Sequence, residues 1–202
     1  MQKGLLIIIS GPSGVGKSTI CKQLLATRNH MNLSLSTTTR PPRVGEVEGE
    51  DYTFIDVNSF KKMIEKNIFL EWAFVHNHYY GTRRDLVQAA LNQGKDLILD
   101  IDVQGAAQLR LKEPAALSIF IAPPSMESLK QRITSRGTEE AGLIKERLLA
   151  ARLEMEAYNM YDYLVVNSVI DDAVSLICAI IDAEKSRVDR GAHPPGWEVT
   201  SQ

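Results

Sequence analysis

Short, wholly apolar runs separated by amphipathic stretches dominate this chain. Leu5-Leu6-Ile7-Ile8-Ile9 is rich in β-branched residues and bounded by Gly4 and by Ser10-Gly11. A strand that is apolar at every position buries both faces, which places it inside a parallel sheet. Leu97-Ile98-Leu99-Asp100, Leu117-Ser118-Ile119-Phe120-Ile121 and Tyr163-Leu164-Val165-Val166 resemble it, and Pro123-Pro124 stops the second of these. Helical stretches lie between them. One begins at about Lys17, with Ile20, Leu24 and Leu25 on its apolar face, and others span about 84–93, 104–111, 126–135, 140–159 and 171–186. Buried strands alternating with helices predict an α/β fold, a parallel sheet with helices on both faces.

Residues 33–80 break this rhythm. Ser34 to Thr39 is polar and β-prone, and Arg40-Pro41-Pro42-Arg43 cannot be helix interior. Gly45 and Gly49 mark turns, while Tyr52 to Ile55 and Phe69 to His76 read as strands. The segment predicts a small β-rich insertion on the α/β core. From about 188 the chain loses periodicity, and Gly191, Pro194, Pro195 and Gly196 predict a loose tail.

Composition narrows the class. The 202 residues suit one domain with short insertions, and 44% apolar with 24% charged is ordinary for a soluble globular protein. A net charge of -2 supplies no positive field for nucleic acid. No run approaches the roughly 20 apolar residues of a membrane span. Cys21 and Cys178 lack a Cys or His partner at metal-ligand spacing and read as reduced thiols in helices. These features together predict a cytoplasmic protein without nucleic-acid or membrane partners; they leave its oligomeric state open.

The sharpest chemical signal is Gly11-Pro12-Ser13-Gly14-Val15-Gly16-Lys17-Ser18, followed by Thr19. It matches G-x-x-x-x-G-K-[ST], with a buried strand before it and a helix after it. Glycines let backbone N–H groups turn inward around a phosphate, and the helix N-terminus favours the negative charge. Lys17 suits the β- and γ-phosphates, and the Ser18 hydroxyl suits a Mg2+ shell. A chance match in a chain this long occurs on the order of 1% of the time, so a nucleoside triphosphate ligand is expected. Asp100 closes a buried strand, where this class carries a second metal-directed carboxylate, and Asp102 follows two residues on. A GTPase is disfavoured because no N-K-x-D motif occurs.

Five further blocks carry a resemblance. They are Ser36-Thr37-Thr38-Thr39-Arg40-Pro41-Pro42-Arg43-Val44-Gly45-Glu46, Gly49-Glu50-Asp51-Tyr52-Thr53-Phe54, Phe69-Leu70-Glu71-Trp72, Tyr79-Tyr80-Gly81-Thr82 and Leu99-Asp100-Ile101-Asp102-Val103-Gln104-Gly105. In order and spacing they resemble the guanylate kinase family, over about residues 5–186. The resemblance implies phosphoryl transfer from ATP to GMP with Mg2+. It divides one domain into a core (about 3–32, 83–125 and 155–187), a GMP-binding insertion (about 33–82) and a helical lid (about 126–154).

It also implies roles. Arg40, Arg43, Tyr52 and Tyr80 would hold the GMP phosphate, which suits guanidinium forks and phenols. Ser36, Glu71 and Thr82 would read guanine, whose N1–H and 2-amino group suit a carboxylate. Gly81, Asp100, Asp102 and Gly105 complete the GMP side, and Ser18 with Asp100 the metal side. Lys17, Arg43 and the lid arginines Arg132, Arg136 and Arg147 would stabilise charge during transfer. Asn167 falls in the family's adenine-side loop. Asn167-Ser168-Val169-Ile170-Asp171 lacks the Asn-Asp pair of many members, so a role there would run through backbone atoms. Ile144, Leu148, Ala151, Met155 and Tyr158 form a stripe expected in the core, beside Arg147. Taken singly, an Arg pair beside Pro-Pro is usually a solvated loop and a strand Glu usually faces water. Their joint occurrence carries the reading.

Overall fold

The computed structural model describes residues 3–75, 77–134 and 141–192. Five parallel strands form the core sheet in the order β2 (Met31–Leu33), β7 (Asp96–Asp100), β1 (Leu6–Ser10), β8 (Leu117–Ala122) and β9 (Tyr163–Val166). The apolar run at β1 divides its side chains between two cores, as strand alternation requires. Leu5, Ile7 and Ile9 face one buried cluster, together with α1 (Lys17–Thr27), α5 (Met126–Thr134) and α7 (Ile170–Lys185). Leu6 and Ile8 face the other, with α3 (Arg84–Asn92) and α4 (Val103–Lys112). Helices therefore cover both faces, as predicted, and the strands' C-terminal ends open toward the phosphate-type loop.

The insertion carries a second, mixed sheet in the order β4 (Tyr52–Phe54), β3 (Ser36–Thr38), β6 (His78–Arg83) and β5 (Phe69–Val75). Its two faces differ sharply. One is aromatic: Phe60 stacks on Phe69 with ring centroids 4.4 Å apart and on Tyr79 at 5.3 Å, with Trp72 and Phe74 beside Tyr79. The other face carries Ser36, Thr82, Glu71 and Tyr80, brought into line by the β3–β6–β5 ladder. Between Phe69 and Glu71 the ladder shifts register, so Leu70 is a bulge residue.

Three elements depart from the sequence reading. The β-rich insertion also contains a helix that the reading did not assign, α2 (Val57–Glu65), which supplies Phe60 to the aromatic face. Its signal was present: Asp56 caps the helix by accepting from Ser59 N at 2.9 Å and Ser59 Oγ at 2.6 Å, and Val57, Phe60 and Ile64 recur at helical spacing. Met31–Leu33 is an edge strand too short to stand out in the pattern. The helix expected over 140–159 is α6 (Ala141–Met155), which passes into a 3-10 segment at Glu156–Met160. That change takes Tyr158 out of the predicted core stripe to 49% exposure, whereas Ala151 is buried and Ile144 and Leu148 pack beside it.

At the tail, Val188–Arg190 forms a 3-10 turn. Arg190 anchors it by donating to Glu184 Oε2 at 2.7 Å and the Ala115 carbonyl at 2.6 Å. Residues 193–202 lie outside the described residues. Among those described, no helix is long and apolar enough to cross a membrane, and Cys21 and Cys178 are free thiols in α1 and α7.

Candidate active site

The loop between β1 and α1 closes around its own lysine. Gly16 caps α1 with φ 101°, a left-handed conformation that a side chain would strain, and a Cβ there would also meet Asn167 Nδ2. Lys17 Nζ donates to the Gly11 carbonyl at 2.7 Å and lies 3.4 Å from that of Pro12, folded back over the loop. Ser18 Oγ donates to Asp100 Oδ2 at 2.9 Å, so the two residues expected on the metal side are neighbours. Both offer hard oxygen donors, the type that Mg2+ takes one or two of from protein before completing its shell with phosphates.

Four residues behind the loop hold its carbonyl edge and its Ser13. The Val15 carbonyl accepts from Asn167 Nδ2 at 2.8 Å and Arg132 Nη1 at 3.1 Å, and Arg132 Nη2 also donates to the Asn167 carbonyl. Asn167 is 4% exposed, so its side chain braces the loop from beneath, where a purely backbone role was expected. From α6, Arg147 donates to Ser13 Oγ at 3.0 Å, and Glu154 Oε2 accepts from Ser13 N at 3.1 Å. Glu154 also lines the cleft and was not anticipated; nothing in its local sequence marks it. Arg136 lies outside the described residues.

The insertion forms the facing wall of the same cleft, whose lining runs continuously from Gly11, Lys17 and Ser18 to Ser36, Arg40, Arg43, Tyr52, Glu71 and Tyr80. Arg40 is 8% exposed and already oriented. Its guanidinium donates to Glu46 Oε1 at 2.8 Å and the Pro41 carbonyl at 2.7 Å, and lies 5.4 Å from the Tyr52 ring centroid. Glu46 Oε2 accepts from Arg43 N at 2.7 Å, so one carboxylate shapes the turn that carries both arginines. The hydrogen bond between them raises the Arg40 pKa and lowers that of Glu46. The sequence pattern gives Glu46 no role, and only the folded turn brings it to Arg40.

Glu71 is the most chemically distinctive group in the cleft. It is 3% exposed, and Oε1 accepts from Thr82 Oγ1 at 2.5 Å. Burial pushes its carboxyl up to about 7, against the opposing hydrogen bond from Thr82. Gly105 lies behind it, and a Cβ at that position would collide with Glu71 Oε2. Gly81 likewise leaves room for Phe69 and Phe60 on the opposite face, while itself lining the cleft. Asp102 caps α4 by accepting from Gly105 N at 3.0 Å, and burial raises its pKa. The expected residues thus converge, with Thr82 and Gly105 supporting Glu71 from behind. Ala73, Val75 and Ile101 add apolar lining that was not expected.

A phosphate-type loop facing a wall with a buried carboxylate has its counterpart in known proteins. The family model described as guanylate kinase matches residues 3–184 of this chain. The chain belongs to the guanylate kinase family. A guanylate kinase of Caldanaerobacter subterraneus subsp. tengcongensis is 51% identical over 189 residues, spanning 94% of this chain and 92% of that protein. One of Syntrophomonas wolfei is 49% identical over 187 residues, covering 93% and 96%. The crystal structure of guanylate kinase from Anaplasma phagocytophilum superimposes with a TM-score of 0.79 at 33% identity, over 94% of this chain and 90% of that one. Guanylate kinases are nucleoside monophosphate kinases, so the chain is a phosphotransferase.

Proposed function

We propose that this chain transfers the γ-phosphate of ATP to GMP, giving ADP and GDP, with Mg2+, as a step of purine nucleotide metabolism in the cytoplasm. One observation carries the substrate reading: the Gly11–Ser18 loop and the wall of Ser36 and Glu71, the latter held by Thr82, line a single cleft. A triphosphate on the loop would point its terminal group at a monophosphate seated on the wall.

Each residue then has a chemical task. Glu71 accepts from the N1–H and 2-amino group of guanine, and Ser36 donates to O6. Adenine offers neither of those donors and would leave a buried carboxylate unpaired, a mismatch that sites of this kind reject by about 10⁴ or more. Arg40, held in place by Glu46, takes the GMP phosphate with Arg43, Tyr52 and Tyr80. Ser18 and Asp100 would hold Mg2+, which when bound screens the charge of the phosphate oxygens. Lys17 exchanges its loop carbonyls for the β- and γ-phosphates. Arg132 and Arg147 keep the loop in position from behind.

In the transfer itself, an oxygen of the GMP phosphate forms a bond to the γ-phosphorus while the β–γ bridging bond breaks and ADP leaves. The nucleophile is already anionic, so no general base is required. Catalysis is positioning plus electrostatic stabilisation, which matches a site built from Lys17 and arginines. A phosphotransfer assay across GMP, AMP, UMP and dTMP, with and without Mg2+, tests the reading. GMP-selective, Mg2+-dependent ADP release is expected; preference for AMP would overturn it. Glu71→Gln is expected to weaken GMP use far more than ATP use, and equal losses would remove Glu71 from guanine readout.

A further inference from the structure

Glu71 reaches the cleft only because its strand is irregular. In a regular strand, residues two apart share a face, so Phe69 and Glu71 would point the same way. On β5 they do not. Phe69 pairs with Arg83 and Glu71 with the adjacent Thr82, so two steps on β5 match one on β6. The bulge at Leu70 leaves Phe69 stacked on Phe60 in the aromatic face and turns Glu71 to the opposite, cleft face against Thr82. Bulges of this kind re-aim side chains beside active sites.

β5 is the edge strand of its sheet as well as the bulged one, so its outward main chain needs partners beyond the ladder, and one face of α4 supplies them. Lys112 Nζ donates to the Leu70 carbonyl at 2.7 Å. Gln108 Nε2 donates to the Trp72 carbonyl at 2.6 Å, and its Oε1 lies 3.4 Å from Trp72 N. Gly105, one turn earlier, leaves the space into which the Glu71 carboxylate fits. Positions 105, 108 and 112 recur at helical spacing, so α4 grips the residues on both sides of Glu71 and shapes the pocket behind it. The Leu70 side chain is fully buried in the core cluster that also holds Ala106 and Leu109 of α4.

We propose that Lys112 and Gln108 are specificity-determining positioning residues, which hold the Leu70 bulge so that Glu71 faces the guanine base. This rests on the reading of Glu71 as the guanine-reading group. Neither residue lines the cleft; each acts through the backbone of β5. The Lys112 charge also favours the ionised form of Glu71.

The test compares Lys112→Met, Gln108→Leu, Lys112→Arg and Glu71→Gln with the parent enzyme, using GMP and IMP as acceptors. IMP keeps N1–H but lacks the 2-amino group, so the GMP-to-IMP preference reports the aim of Glu71. For Lys112→Met and Gln108→Leu, KM for GMP is expected to rise about tenfold, as for a site whose supporting contacts are loosened. The GMP-to-IMP preference should shrink, while kcat and KM for ATP stay within about twofold. Lys112→Arg should restore most of the loss. Thermal unfolding of each variant separates aim from stability: a lower Tm with unchanged GMP-to-IMP preference would overturn the proposal. If Glu71→Gln loses GMP selection but Lys112→Met and Gln108→Leu do not, the positioning role fails and the guanine reading stands. If Glu71→Gln itself keeps GMP selection, the guanine reading fails first.

Discussion

A carboxyl buried as deeply as Glu71 titrates where enzymes work. Its pKa of about 7 follows from burial, with Asp102 opposing ionisation and Lys112 and Thr82 favouring it. On the proposed guanine reading, the N1–H and 2-amino group are both donors, so the carboxylate form of Glu71 is the one that would accept from them. Lowering pH through 7 protonates Glu71 and should weaken binding; raising it should do the reverse. Between pH 8 and pH 6 the ionised share falls from about nine-tenths to about one-tenth, so affinity for guanosine should drop about tenfold. Guanosine is the informative ligand because it lacks a titrating phosphate, and calorimetry at several pH values would read the change; a flat profile would exclude this role. Asn167 offers a second residue-scale test. Its amide donates to the Val15 carbonyl, buried beneath the phosphate-type loop. Asn167→Ala should cost about 1 kcal/mol in urea unfolding and raise KM for ATP more than for GMP.

At the scale of elements, α4 is the joint between the core and the insertion. A Gly→Ala change inside a helix usually stabilises by about 1 kcal/mol. At Gly105 the sign should invert, because the new methyl would meet a Glu71 carboxylate that is buried and already hydrogen-bonded to Thr82. Gly105→Ala is expected to weaken GMP binding at least tenfold while ATP binding is kept, measured by titration with each nucleotide separately. The loop-to-helix contacts of Ser13 with Arg147 and Glu154 show the same economy on the triphosphate side: one small residue takes two partners from α6.

Across the whole molecule, stability and chemistry sit at opposite ends of the parallel sheet. Asp100 and the phosphate-type loop lie at strand C-terminal ends, where open α/β sheets bind ligands. Asp96 lies at the other end of β7, 4% exposed, accepting from Leu5 N at 3.0 Å and Lys185 Nζ at 2.8 Å. It ties β7 to the start of β1 and to α7. Asp96→Ala leaves a buried N–H without its acceptor and should cost about 2–3 kcal/mol in chemical denaturation. Its kcat and both KM values should stay near those of the parent, and a large loss of kcat at full folding would contradict this separation.

What was legible in the sequence was whatever is encoded contiguously. The strand-loop-helix around Gly11 to Ser18, the doubly buried runs and the family's blocks each depend on neighbours along the chain, through φ preferences, periodicity and local hydrogen bonding. Even α2 had its cap at Asp56 and its apolar spacing, though the strands around it hid them. Tertiary structure alone decided what depends on register and on distant partners. The Leu70 bulge sets which way Glu71 faces, Asn167 turns inward under Val15, Glu46 aligns Arg40, and Glu154 reaches Ser13. A side chain's face in a sheet follows from pairing with another strand, and a buried group's pKa follows from what surrounds it. Neither quantity is a property of the residue's own stretch of chain.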